Sequence, residues 1–315
     1  MITVIICSHN PREEYLTRTL DALKKQTLPK DRWELLLVDN SSSKAIAELW
    51  SLSWHPLGRH IHEDNLGLTQ ARLRGILEAK GDLLVFVDDD NLLAADYLEA
   101  ALKISRSYPF LGAWGGSCIA EYEKKPPPWL ASYEGNIAVR KVDSVCWSNR
   151  YFDYASTPVG AGMCLRCGVA ERYRERMHHD GNGISLDRKG SSLMSCGDHD
   201  MAWTSMELGI GVGVFPELCL THIIPEERTR PDYILKLLEA DACSSALLRM
   251  RITGHVEWSP YKMRLSRLRG MALALKKLIW PFKSHIRDMA RQARMNGIRR
   301  AMVILERSAR NLDRE

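Results

Sequence analysis

Leu83-Leu84-Val85-Phe86-Val87-Asp88-Asp89-Asp90-Asn91 sets five apolar residues directly before three carboxylates. An unbroken apolar run of this length, introduced by Gly81-Asp82, reads as a strand covered on both faces, the environment of a parallel sheet. Two earlier runs share the design: Thr3-Val4-Ile5-Ile6-Cys7 ends in Ser8-His9-Asn10-Pro11, and Leu35-Leu36-Leu37-Val38 ends in Asp39-Asn40-Ser41. Tyr15, Leu16, Leu20 and Leu23 recur between them at helical period, and a further helical stretch is expected from Gln70 to Ala79. Strands alternating with helices imply an α/β fold with a mostly parallel sheet flanked by helices. Ligands of such sheets bind beyond the carboxyl ends of the strands, so the three polar clusters mark a candidate site.

Three adjacent carboxylates repel one another unless a cation or hydrogen-bond donors offset their charge. A divalent ion carrying diphosphate oxygens is the natural complement, because Mg²⁺ takes few protein carboxylates and shares its other positions with phosphates. The alternative is that Asp90 or Asn91 caps a helix from Leu92 to Leu102, with the other aspartates solvated.

Around this core the chain is 315 residues long, 45% hydrophobic and 26% charged, values of a globular enzyme rather than a disordered or fibrous chain. Met1 leads straight into the first strand, and no apolar run reaches the length of a spanning helix, so a cytoplasmic location is expected. The eight cysteines are scattered and read as reduced thiols; Cys164 and Cys167 have ligand spacing but no matching second pair for zinc. Gly209-Ile210-Gly211-Val212-Gly213 precedes a strand instead of following one, the reverse of a dinucleotide fingerprint. From Gly112 to Ile224, with Pro126-Pro127-Pro128 and several glycines and tryptophans, an irregular, loop-rich region is expected; its aromatics read either as a sugar-binding face or as core plugs. Beyond Pro231 the chain turns helical and basic. Fourteen Lys/Arg against Asp288 and Glu306 between Lys262 and Arg310 give a local excess of +12 in a chain of net +5, which leaves −7 for the remainder. Basic segments carrying Leu265, Leu268, Leu273, Leu275, Leu278, Ile279 and Trp280 suit an anionic membrane surface. A solvated helical cover on the acidic body is the competing reading, and no nucleic-acid-binding module is recognisable.

Ile5-Ile6-Cys7-Ser8-His9-Asn10, Leu37-Val38-Asp39-Asn40-Ser41, Asn65-Leu66-Gly67-Leu68-Thr69-Gln70-Ala71-Arg72 and Val85-Phe86-Val87-Asp88-Asp89-Asp90 occur in order over the first 110 residues. Together they resemble the successive motifs of the family-two inverting glycosyltransferases. The resemblance continues more loosely through Gly160-Ala161-Gly162-Met163, Cys196-Gly197-Asp198-His199-Asp200 and Leu220-Thr221-His222, to about residue 225.

It implies a GT-A fold with a nucleotide-sugar-binding half (1–110), an acceptor-binding and catalytic half (111–230) and a basic helical extension (231–315). It also implies a nucleotide-sugar donor, a UDP-sugar by preference, and a carbohydrate or lipid-linked acceptor in cell-surface polysaccharide or glycolipid assembly. By the same resemblance Asp39 contacts the nucleotide base, with the turn Ser8, His9 and Asn10 at that end of the donor. Asn65, Gly67 and Arg72 lie along the donor, with Asp88 at the ribose and Asp89 beside it. Asp90 and His222 ligate Mn²⁺ or Mg²⁺, and an imidazole favours Mn²⁺. Gly160, Ala161, Gly162 and Trp203 are the acceptor-binding candidates. The family's Glu-Asp pair is here Gly197-Asp198, which leaves Asp198 as the leading general base and Asp200 as the reserve; capping of the helix that follows is the alternative for both.

A phosphatase-type hydrolase competes through Asp88-x-Asp90, but Leu92 stands where that chemistry wants Thr or Val. A catalytically inactive nucleotide-sugar-binding or scaffold protein is the reading that Gly197 permits.

Overall fold

The computed structural model describes residues 1–179, 186–190, 192–255 and 286–312. The chain divides into two compact units, Met1–Gly181 with Gly197–Glu226, and Asn182–Cys196 with Glu227–Glu315.

The first unit is built on a nine-stranded sheet. Strands β1 (Ile2–Ser8), β2 (Trp33–Asn40), β3 (Gly58–Glu63) and β4 (Leu83–Val87) form its parallel half in the order β3-β2-β1-β4. The sheet continues through β8 (Cys164–Arg166), antiparallel to β4, then β6 (Leu111–Tyr122) and β9 (Gly211–Ile224), which run parallel to each other. β5 (Asn91–Leu93) and β7 (Cys146–Ser148) both pair antiparallel with β9. The expected mixed α/β architecture, with a sheet flanked by helices, is present. The region after Gly112 is more regular than its composition suggests. Its long strands β6 and β9 shift register at Leu111/Ala113 and Gly115/Ser117, and those irregularities break the alternation by which a strand announces itself.

Successive residues of a buried strand point to opposite faces. Helix α1 (Glu13–Lys24) turns Leu16, Leu20 and Leu23 toward Ile2, Val4 and Ile6, and α4 (Tyr97–Ser107) brings Leu98, Ala101 and Ile104 to the same core. Helix α3 (Leu68–Glu78) covers the other face, with Gly75 against Ile5, and α5 (Cys167–His179) packs beside it. Each of these fully buried aliphatic side chains contributes about 1.5–3 kcal/mol. Two further α-helices lie among the described residues of this unit, the short α2 (Ile46–Leu49) and α6 (Gly197–Glu207).

In the second unit α7 (Pro231–Thr253) packs against α8 (Ile286–Leu312). Ala290, Ala293, Gly297 and Ala301 form the buried seam of α8, while Arg287, Arg291, Arg294 and Arg300 are exposed. The apolar and basic residues from 256 to 285, Trp280 among them, lie outside the described residues. No helix among the described residues is long and apolar enough to cross a membrane.

Candidate active site

The parallel strands deliver their polar ends in register, Ser8 beside Asp39 and Asp39 beside His62. The turns after β1 and β2 pass through positive φ at Asn10 (49°) and Ser41 (54°) and are stitched together by side chains. His9 Nδ1 lies 2.7 Å from the carbonyl oxygen of Asn40; a carbonyl only accepts, so Nδ1 carries the proton, and Nε2 accepts from Asn10 Nδ2 at 3.0 Å. Asn10 Oδ1 accepts from the amide and hydroxyl of Ser43 at 2.8 and 2.9 Å. The buried Asp39 carboxylate accepts from the amides of Ser42 and Ile46, each at 3.0 Å. Burial alone pushes Asp39 up, but the Ile46 and Ser42 hydrogen bonds outweigh it and hold the group below the usual carboxylate range.

Asn40 then ties in the next loop. Its Oδ1 accepts from Gly67 N at 2.8 Å, and its Nδ2 donates to the carbonyls of Asn65 and Glu63 at 2.8 and 3.1 Å. Asn65 in turn donates to Glu63 Oε1. This fixes the start of α3, from which the buried Arg72 reaches toward Gly160: a Cβ on Gly160 would stand 2.8 Å from Arg72 Nη2.

At the end of β4, Ser8 Oγ donates to the Asp89 carboxylate, and Thr19 Oγ1 donates to the Asp89 carbonyl at 3.1 Å. Asp88 N donates to Asn91 Oδ1 at 3.2 Å, and Asn91 Nδ2 donates to Asp90 Oδ1 at 3.0 Å. The alternative of a helix from Leu92 is overturned: Asn91–Leu93 is strand β5, and α4 begins only at Tyr97. Pairing with β9 sets Asn91 opposite His222 and brings His222 Nε2 to 3.5 Å from Asp90 Oδ2, both side chains almost fully buried. A carboxylate and an imidazole this close, deep at the strand ends, fit the donor set of a divalent ion, Mn²⁺ above Mg²⁺. Among the described residues no group of three or more His, Cys, Asp or Glu side chains is placed to hold a cation.

The general-base candidates part company. Asp198, in the first turn of α6, accepts from Gly160 N at 2.9 Å through Oδ2 and from His199 N at 2.8 Å through Oδ1. It thus stands with Gly160 and Arg72 at one point. Asp200 is 2% exposed and pairs with Arg176 Nη2 at 2.9 Å, an arginine that also binds Glu207. Gly162 sits at φ 72°, and its carbonyl accepts from Tyr97 Oη at 2.6 Å; Ala161 is buried beside it. Trp203 is 1% exposed, and its indole N–H donates to Thr157 Oγ1 at 2.9 Å.

Asn40, Asn91, Tyr97 and Arg176 all shape the site. Asn40 and Asn91 sat inside the polar clusters already singled out. The other two carried no sequence signal, because their partners, Gly162 and Asp200, are 65 and 24 residues away.

A mixed α/β sheet flanked by helices, with the polar ends of its parallel strands tied to one another, is a GT-A-like layout. Residues 3–157 match the profile of the family described as Glycosyl transferase family 2, and this amino-terminal half of the chain belongs to the family-two glycosyltransferases. Glycosyltransferase AglE of Haloferax volcanii is 36% identical over 105 residues, 32% of this chain and 34% of AglE. The cholesterol galactosyltransferase of Borreliella burgdorferi is 34% identical over 105 residues, 31% of this chain and 27% of that protein. The chain spans about a third of the length of these relatives. Its fold matches S. aureus TarS 1-349 in complex with UDP-GlcNAc at a TM-score of 0.52 and 14% identity, covering 95% of this chain and 91% of that one. The complex of the same protein with UDP aligns at 0.50.

Proposed function

We propose that this chain transfers a sugar from a nucleotide-diphosphate sugar, a UDP-sugar by preference, to an acceptor hydroxyl with inversion at the anomeric carbon. The observation that carries the reading is the convergence of Asp198, Gly160 and Arg72 in the domain whose strand ends hold the Asp90–His222 pair. Asp39, His9 and Asn10 hold the base end of the donor, Asp88 the ribose, and Asn65, Gly67 and Arg72 its length. Asp90 and His222 would hold a divalent cation, which would supply charge stabilisation to the departing diphosphate. Asp198 accepts the acceptor's proton. Each of its oxygens receives one backbone amide, which fixes the carboxylate's direction and leaves lone pairs for the hydroxyl. Asp200 is committed to Arg176 and holds α6 in place, which favours Asp198 over it.

The acceptor belongs to cell-surface polysaccharide or glycolipid assembly in this reading, and the basic tail brings the enzyme to the inner membrane face. The lipid acceptor in the name of the Borreliella relative supports that choice. Asp198→Asn is expected to cut transfer by about 10²–10⁴-fold while sparing UDP affinity, because a general base acts in the transition state alone. Near-normal turnover in Asp198→Asn would remove the assignment. Absence of both transfer and donor hydrolysis in the wild type would leave a binding protein.

A further inference from the structure

Five rings gather where the segment 151–157 crosses the first turns of α6. Trp203 is the buried hub: His199 stacks on it at 5.5 Å and 17°, and Phe152, Tyr154 and Tyr151 surround it at 5.1, 5.5 and 6.2 Å. Tyr154 also lies 5.3 Å from His199. The hub is locked by its N–H bond to Thr157, yet Tyr154 is 47% exposed and Tyr151 37% exposed. The aromatic cluster therefore ends at the surface as plates held from below, and the ring against which Tyr154 lies, His199, belongs to the residue that follows Asp198 and gives its amide to Asp198 Oδ1.

We propose that the acceptor presents a pyranose ring, and that its C–H face lies on Tyr154 with one ring hydroxyl directed at Asp198. The proposal rests on the transfer reading above and names the substrate class of the same site. A tyrosine already fixed by packing offers apolar area with little ordering left to be lost on binding. A sugar has the matching anatomy, a C–H face for the plate and a hydroxyl edge for the carboxylate. Tyr154 takes over the role expected of Trp203, whose ring supports the plate from beneath.

Saturation-transfer NMR with methyl pyranosides, in the presence of UDP and diamagnetic Mg²⁺, tests this on the full chain and on Tyr154→Ala and Tyr154→Phe. Saturation is expected on ring C–H protons in the wild type and in Tyr154→Phe. Tyr154→Ala should weaken pyranoside binding by about tenfold with UDP affinity unchanged. No pyranoside binding to a wild type that binds UDP would overturn the proposal, as would equal binding by Tyr154→Ala. Failure of all three proteins to bind UDP would strike instead at the transfer reading beneath it.

Discussion

At Gly162 the backbone lies at φ 72°, and a Cβ there would stand 2.5 Å from Tyr97 Oη and 2.6 Å from Leu220 Cδ2. Left-handed strain and overpacking add, so Gly162→Ala should destabilise by about 2–4 kcal/mol. Gly168, in the first turn of α5 with open space around its Cα, should tolerate alanine with little change in stability. Urea unfolding of the two variants checks the contrast, and equal midpoints would contradict it. The proposed donor, metal and base residues Ser8, Asp90 and Asp198 stand at strand and helix ends that apolar runs and caps announce. Asn40 was legible as a polar strand end but not as the staple of loop 63–67, since that role depends on the loop's return over β2. The burial of Trp203 was not legible, because a tryptophan on a surface and one beneath it read alike in sequence.

Among the elements, the short segment between α2 and β3 carries a pH dependence. His55 packs its ring 4.1 Å from Trp33, and Nδ1 accepts from Leu57 N at 3.1 Å. Burial, with a smaller push from the Lys30 ammonium, lowers it to about 4. An unfolded histidine titrates near 6.5, so between about pH 6.5 and 4 the unfolded chain binds a proton that the folded chain does not. Stability therefore falls as pH drops through that window and this contribution levels off below it. His55→Asn keeps an acceptor for Leu57 and removes the titration. Its melting temperature should decline less between pH 6.5 and 4.5 than that of the wild type, and an equal decline would show that other groups dominate. Strands β1, β2 and β4 were legible because each is an unbroken apolar run. β3 was not, because Gly58-Arg59-His60-Ile61-His62-Glu63 holds one buried aliphatic residue and pairs along one edge alone. β5 was hidden for another reason: a three-residue strand owes its existence to β9, more than a hundred residues on.

For the whole molecule, charge divides the chain: the +12 excess between Lys262 and Arg310 against −7 elsewhere. Each Lys or Arg near an anionic surface contributes about 1 kcal/mol, so a third of that excess gives about 4 kcal/mol, enough for reversible attachment. Full-length protein should co-sediment with anionic but not neutral liposomes, less so as salt rises, and a chain ending near Glu257 should not. Equal sedimentation of the two forms would return the tail to a cover on the acidic body. The central claim, metal-assisted nucleotide-sugar binding at the carboxyl ends of β1 to β4, is tested most directly by calorimetry with a panel of nucleotide sugars, with and without Mn²⁺. One donor, a UDP-sugar, should bind tighter with Mn²⁺, and Asp90→Ala should lose that tightening while keeping its fold. Binding of no nucleotide sugar, or an unchanged Mn²⁺ dependence in Asp90→Ala, would contradict the account.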